Sequence, residues 1–153
     1  MTDKYADIEN IQWDNIPEPK TLPDGTYLLK GTNVLYVPKD EENDKSARVA
    51  FFYEAKEAMD DVDAEELAKL GDDYDLANSE IVKQFFLNKA RDWAAVRKHI
   101  EAHGIDTAGK SLPETFDAFR GTEVLSVITT KEFVSKTSGE LVVKNEPTLF
   151  EKA

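Results

Sequence analysis

The chain has 153 residues, of which 41% are hydrophobic and 33% charged, a balance typical of one globular domain. It contains no cysteine, which excludes disulfide bonds, thiolate chemistry and cysteine-ligated metals. Since no apolar run is long enough to span a membrane and residues 1–11 lack the apolar core of a signal peptide, we expect a soluble, cytoplasmic protein that does not bind membranes.

The net charge of −12 is unevenly distributed. Residues 40–80 hold 15 acidic and 4 basic side chains, a net charge of −11, whereas residues 81–153 hold 10 acidic and 11 basic ones, a net charge of +1. The overall acidity argues against indiscriminate binding to duplex DNA or anionic lipid, because both would repel the protein. The second half of the chain nevertheless leaves room for a local basic groove.

The N-terminal residues 1–22 mix charges with prolines and show no helical period. This composition predicts an extended arm, with Trp13 and Ile16 as anchors onto the domain. We expect a single domain over residues 23–150, followed by a short tail over residues 151–153.

The first strand is predicted at residues 25–37, which are rich in β-branched and aromatic residues and follow a Pro-Asp-Gly turn. Gly31 lies at its middle. A glycine there predicts a bulge or a sharp bend, since a residue without Cβ tolerates the backbone geometry that a bend needs. A first strand bent at its midpoint can belong to both halves of a small closed barrel.

Two more strands are predicted, at residues 48–55 after a solvated acidic loop at residues 40–44, and at residues 81–87. In the second strand, alternation places Val49, Phe51 and Tyr53 on one face and Arg48, Ala50 and Phe52 on the other. In the third strand, Phe85 and Phe86 lie on opposite faces.

Three helices are predicted from capping residues and helical spacing. Asp63 with Glu66 begins a short helix that ends at Gly71. A longer helix at residues 89–103, ending at Gly104, is indicated by one apolar face that contains Ala90, Trp93, Val96 and Ile100.

The third helix begins with the pair Ser111 and Glu114 and ends at Gly121. Its apolar residues Leu112, Phe116 and Phe119 are expected to be buried. Two final strands at residues 122–130 and 141–145 form a hairpin, whose loop contains Lys136 and Gly139.

This order of elements predicts a mainly β fold with helices. Three strands, a helix and two strands are the order of a five-stranded OB-like barrel with its helix between strands three and four, here carrying an acidic helical insertion. An open α+β sheet with the same elements is the alternative.

Residues 104–111 match the phosphate-loop pattern G-x-x-x-x-G-K-[ST] letter for letter. That chemistry needs a buried strand before the loop and a helix whose amides point at the phosphates. Here an amphipathic helix precedes the loop, Gly104 is explained as its cap, and the next strand ends without an aspartate for magnesium. We therefore predict no nucleotide site.

His99 and His103 lie one helical turn apart, a spacing that can place two imidazoles on one metal ion. No third ligand accompanies them, and Arg97 and Lys98 would repel a cation. We therefore predict solvent-facing histidines and no metal site. Two histidines and no cysteine also form no nucleophile-base-acid set, so we predict no catalytic residues, no cofactor and no enzymatic activity.

Aromatic and basic residues are interleaved along the predicted strands. An exposed ring beside a cation suits single-stranded nucleic acid, because bases stack on rings at about 1–3 kcal/mol each while cations contact phosphates. The predicted nucleic-acid-binding residues are Lys30, Tyr36, Arg48, Phe52, Lys83, Phe85, Lys131, Phe133, Lys136 and Lys144. The alternative is that these aromatics form the core and that the lysines are scattered surface charges.

Five short stretches occur in an order that resembles a known family. They are Leu22-Pro-Asp-Gly25-Thr-Tyr27, Phe51-Phe52-Tyr53, a helix containing Arg91-Asp92-Trp93 and ending at Gly104, Gly121-Thr-Glu-Val-Leu, and the hairpin Gly139-Glu-Leu. Over about residues 22–150 this order is similar to that of the small acidic single-stranded-DNA-binding proteins of bacteriophages.

The resemblance implies an OB fold, sequence-tolerant binding of single-stranded DNA, and a role in phage replication or recombination within the host cytoplasm. It also implies replication or recombination proteins as partners. Whether the chain forms a homo-oligomer stays open at this point. Two other functions stay open. One is an acidic interaction module or DNA mimic that engages a basic partner through residues 40–80, and the other is a structural component of a virion.

Overall fold

The structure, a computed structural model, describes residues 20–153. Its strands are β1 (Gly25–Val37), β2 (Ala47–Ala58), β3 (Ile81–Leu87), β4 (Glu123–Val134) and β5 (Leu141–Lys152), and its helices are α1 (Ala64–Ala68), α2 (Ala90–Ala102) and α3 (Leu112–Phe119). A short 3₁₀ turn at Leu76–Asn78 precedes β3. The predicted order of elements is therefore confirmed, whereas most of the predicted arm, with Trp13 and Ile16, lies outside the described residues.

The last two strands extend well beyond their predicted bounds. Beyond Thr130, β4 continues with side chains exposed on both faces, so the alternation that marks a half-buried strand is missing there. In β5 the ladder continues through Pro147, which is opposite Ile128. Proline is tolerated here because β5 is an edge strand. One side of an edge strand has no neighbouring strand, so a missing N–H on that side costs no hydrogen bond.

The five strands form one open antiparallel sheet in the order β3-β2-β1-β4-β5. Each strand is antiparallel to its neighbours. The two edge strands, β3 and β5, therefore run in the same direction, and the sheet is coiled enough to bring their Cα atoms within 8 Å of each other. Helix α2 packs against both edge strands.

Strand β1 is bent at Gly31, as predicted. Its ladder with β2 shifts register between Gly31 and Asn33, and its ladder with β4 ends at Lys30. Beyond that point, Gly31 N donates to Thr122 O and Gly31 O accepts from Gly121 N, both at 2.8 Å. The first part of β1 therefore pairs with β4 as well as β2, whereas the second part pairs with β2.

The core lies between the concave face of the sheet and helices α2 and α3. Its largest fully buried side chains include Tyr27, Leu29, Phe51, Ile100 and Phe119. The predicted face of β2 is confirmed, since Val49, Phe51 and Tyr53 are all buried. Phe119 is buried as predicted, but the burial predicted for Leu112 is wrong, because this first residue of α3 faces solvent.

The helix boundaries depend on the predicted capping residues. Asp63 accepts hydrogen bonds from the backbone N–H groups of Glu65 and Glu66, and Ser111 Oγ accepts one from Glu114. At the end of α2, Gly104 has a φ of +81°, a conformation that favours glycine. None of the helices in residues 20–153 is long and apolar enough to cross a membrane.

We expect Gly31→Ala to destabilise the fold by about 1–3 kcal/mol. A Cβ at this position would lie 2.7 Å from Phe119 O and 2.8 Å from two carbons of the Phe119 ring, so β1 and α3 would have to separate. Chemical denaturation of the variant measures the effect. A free energy of unfolding within 0.5 kcal/mol of wild type would contradict this account of the bend.

Candidate nucleic-acid interface

A groove of about 570 Å³ lies between the edge strands β3 and β5. Its β3 wall includes Val82, Gln84 and Phe86, which alternate along the strand and therefore share its outer face. Its β5 wall runs from Val142 to Glu146. The groove follows from the open sheet, because two edge strands that approach each other without pairing leave a cleft between them.

An exposed ring lines this groove, and a guanidinium lies opposite it in the neighbouring strand. Phe86 is opposite Arg48 in the β2–β3 ladder, and residues opposite each other in an antiparallel pair project from the same face. Arg48 is exposed, and Phe86 is 56% exposed. Phe52 lies on the same outer face but is half-buried.

The β4–β5 hairpin provides a second ring and further cations. In its ladder Lys131 is opposite Lys144, and Phe133 is opposite Val142, all on one face. Lys144 Nζ lies 5.6 Å from the centroid of the Phe133 ring, which is 45% exposed. This distance is within the range of a cation–π contact. Lys136 is exposed in the loop at the tip of the hairpin.

The face predicted for Phe85 is wrong. Phe85 is opposite Val49 and points into the core, where its ring centroid lies 5.9 Å from that of Phe51 and 5.2 Å from that of His99. Its neighbour Phe86 is the exposed ring. The alternation of β3 separates the two phenylalanines correctly, but the sequence does not show which of them faces the helix.

Three more predicted residues lie away from the exposed rings. Lys30 is on the outer face with a glutamate opposite it on each side, Glu54 in β2 and Glu123 in β4. Tyr36 is exposed but lies on the helix side of the sheet, with its ring 6.1 Å from that of Trp93. Lys83 is half-buried beside Phe85, although it also lines the groove.

The charges that line the groove are mixed. Three ammonium groups (Lys20, Lys83 and Lys144) and two carboxylates (Glu80 and Glu146) contribute to its walls. Lys131 forms an ion pair with Glu146, with 2.5 Å between Nζ and Oε2. The groove is therefore locally positive by one charge in a chain whose net charge is −12.

The prediction of solvent-facing histidines is wrong, because His99 and His103 are both buried around the Tyr53 hydroxyl. His103 Nδ1 lies 2.7 Å from the carbonyl oxygen of His99, and a carbonyl can only accept, so this nitrogen carries the proton. Tyr53 therefore donates to His103 Nε2 at 2.8 Å and accepts from His99 Nε2 at 2.7 Å. The cluster attaches α2 to β2.

Burial keeps both imidazoles neutral. Desolvation lowers the pKa of His99 to about 2, with smaller contributions from the neighbouring His103 and Lys83. The pKa of His103 is lowered as well, again mainly by desolvation. Desolvation also raises the pKa of Tyr53, so its hydroxyl stays protonated. A three-residue hydrogen-bonded cluster, and not a metal pair, thus accounts for the helical spacing of the two histidines.

No protein-family model matches this chain, and no curated protein matches it either.

We expect the free energy of unfolding to fall as the pH decreases from 6.5 to 5. The unfolded histidines bind protons below pH 6.5, whereas the pKa of His99 in the folded protein is about 2 and that of His103 is also lowered, so acid favours the unfolded state. The loss due to His99 approaches about 1.4 kcal/mol per pH unit. Urea denaturation at several pH values measures it.

The variant His99→Gln serves as the comparison, since His99 and His103 are the only two histidines in the chain. It should have a shallower slope over this pH range, which lies above the ordinary pKa of carboxylates. An equal slope in the wild type and the variant would contradict the assignment to His99.

Proposed function

We propose that this chain is a non-enzymatic single-stranded-DNA-binding protein with an OB-like barrel, of the kind that bacteriophages use in replication or recombination. The observation that carries the proposal is the pair of exposed rings, Phe86 and Phe133, each beside a cation on the strands next to one groove. Unpaired bases stack on such rings, and cations contact the phosphates between the bases.

The strand arrangement supports the barrel. A five-stranded OB barrel needs a first strand shared by both halves of the sheet, and β1 pairs with β4 before its bend at Gly31 and with β2 on both sides of it. It also needs the third and fifth strands next to each other, and β3 and β5 lie within 8 Å. Helix α2 lies between β3 and β4 in the chain, as in that fold.

The surface favours single strands over duplex DNA. Stacking requires an exposed base face, which a duplex offers only at its ends. The strong negative charge elsewhere on the protein repels the densely charged duplex, and a single strand can reach the local cations with fewer phosphates near the acidic surface. Affinity then depends on stacking as much as on charge.

Binding of a basic protein through the acidic region is the second candidate function. Asp60, Asp63, Asp72 and Asp73 are all exposed around α1, and the ion pairs of that helix, among the described residues, are limited to Lys69 with Glu66. Asp63 caps α1, but the carboxylates of Asp60, Asp72 and Asp73 form no hydrogen bond or ion pair with other described residues, so a basic partner could contact them. Neutralising Asp60, Asp72 and Asp73 would abolish such binding and leave oligonucleotide binding intact or stronger.

Phe86→Ala and Phe133→Ala should each weaken the binding of a labelled single-stranded oligonucleotide by about 5- to 150-fold, since each removes one stacking ring. Fluorescence anisotropy measures the affinity. Tyr36→Ala is the matched control, because Tyr36 is 47% exposed but lies on the helix side of the sheet. If all three variants bind as the wild type does, or if duplex DNA binds as tightly as the single strand, the proposed function is wrong.

Lys144→Gln should reduce the dependence of affinity on salt. Each phosphate contact to a single strand contributes about 0.7 to the slope of log K against log salt concentration, so losing one ammonium should lower the slope by that amount. Lys98→Gln, which removes an exposed lysine on α2, should leave the slope unchanged. A slope of zero for the wild-type protein would rule out phosphate contacts.

A further inference from the structure

The groove between β3 and β5 lies where the described part of the chain begins. Lys20 and Thr21, the first two described residues, contribute to its wall. The backbone N–H of Lys20 donates to the Tyr74 hydroxyl at 2.8 Å, and the Lys20 carbonyl accepts from Ser79 Oγ, so this end of the groove is fixed to the segment that precedes β3. Residues 1–19, the N-terminal segment, therefore join the domain at the groove itself.

The N-terminal segment and the groove carry opposite charges. The segment holds five acidic side chains and one basic side chain, a net charge of −4, whereas the groove is positive by one charge. Two of the ammonium groups in the groove, those of Lys83 and Lys144, form no ion pair with a described residue. Because exposed charges interact mainly within about 8 Å at physiological salt, these cations attract an acidic segment that is attached beside them.

The groove also offers an aromatic ring that the segment is long enough to reach. Phe86 lines the β3 wall and is 56% exposed, and the N-terminal segment contains one tryptophan, Trp13. The seven-residue step from Trp13 to Lys20 spans at most about 25 Å. Along β3 the six-residue step from Glu80, next to the Lys20 contact, to Phe86 covers about 20 Å. Trp13 is therefore within reach of Phe86.

A weak contact is sufficient when segment and groove belong to one molecule. A short flexible connection holds two binding groups at an effective concentration in the millimolar range. If the dissociation constant of the contact is one-tenth of that concentration, the groove is occupied in about nine molecules out of ten. One ring contact and a few charge contacts can therefore fill it.

We propose that the N-terminal segment of this chain binds in the groove between β3 and β5, with the Trp13 ring against Phe86 and the carboxylates of Asp14 and Glu18 near the ammonium groups of the groove. Single-stranded DNA must then displace the segment, because both use the same ring and the same cations. The binding of the segment is independent of the proposed function, whereas the competition with DNA rests on it.

The first test follows Trp13 by fluorescence in the absence of DNA. The chain contains two tryptophans, Trp13 and Trp93, so the full-length variant Trp93→Phe leaves Trp13 as the only one. We expect acrylamide to quench Trp13 less in this variant than in a synthetic peptide of residues 1–19, because a ring packed against Phe86 is shielded from the quencher. Adding Phe86→Ala should raise the quenching towards that of the peptide.

Leu112→Ala is the matched control and should leave the quenching unchanged, because Leu112 is 47% exposed at the start of α3 and does not line the groove. The quenching should also be independent of protein concentration, since segment and groove belong to one molecule. Protection that increases with protein concentration would assign the groove to the segment of a second copy and overturn the proposal. If Trp93→Phe fails to fold, as judged by circular dichroism, DNA-binding measurements on variants that retain Trp93 provide the test.

The second test measures the affinity for a labelled single-stranded oligonucleotide. Trp13→Ala, and a double variant with Asp14→Asn and Glu18→Gln, should each bind about 5- to 10-fold more tightly than wild type, since a groove occupied in about nine-tenths of the molecules is free to bind in only about one-tenth. The matched control, Glu41→Gln with Glu42→Gln, removes two exposed carboxylates in the loop between β1 and β2. It has the same net charge as the double variant and should change the affinity much less.

The outcomes separate this inference from the proposed function. Quenching of Trp13 equal to that of the peptide, quenching unaffected by Phe86→Ala, or an affinity that is unchanged or weaker in Trp13→Ala would each overturn the inference and leave single-strand binding standing. Absence of oligonucleotide binding in every variant at low salt, with Trp13 still protected, would overturn the proposed function and the competition, and leave the binding of the segment standing.

Discussion

The close approach of β1 to the end of α3 is the constraint on which the rest of the structure depends. Gly31 lies against the backbone and ring of Phe119 with no room for a Cβ, and its N–H and C=O bond to the loop that follows the helix. These contacts turn β1 from a strand shared with β4 into one that pairs with β2. Without this bend the sheet would extend as a flatter layer, and the edges β3 and β5 would not meet.

The groove is a consequence of that meeting. Two edge strands that run in the same direction come within 8 Å but do not belong to one ladder, so their outer-face side chains border a cleft rather than a continuous surface. The β4–β5 hairpin adds Lys144 to this cleft, and Lys144 Nζ lies 5.6 Å from the centroid of the exposed Phe133 ring. The proposed function thus depends on an open sheet whose two edge strands approach each other without pairing.

The sequence predicted elements better than faces. Alternation in β2 identified Val49, Phe51 and Tyr53 as core, because the charged Arg48 lies on the other side. In β3, alternation does not show which of the two aromatic residues, Phe85 or Phe86, faces the core. The structure shows it, because Phe85 is opposite the buried Val49 and Phe86 is opposite the exposed Arg48. The prediction that the histidines face solvent was wrong because neighbouring residues in the sequence do not show the side chains that pack against them. Polar residues next to Arg97 and Lys98 look exposed, and their burial is compensated by Tyr53, which is 46 and 50 residues away in sequence.

The net charge of the chain likewise does not predict where the charged side chains lie in the structure. A net charge of −12 argues against binding to a polyanion, yet the carboxylates concentrate in residues 40–80 and the groove collects three ammonium groups. Glu80 and Glu146 also line the groove and leave it only one net positive charge, so the proposed binding of a single strand depends on the exposed rings as well as on phosphate contacts.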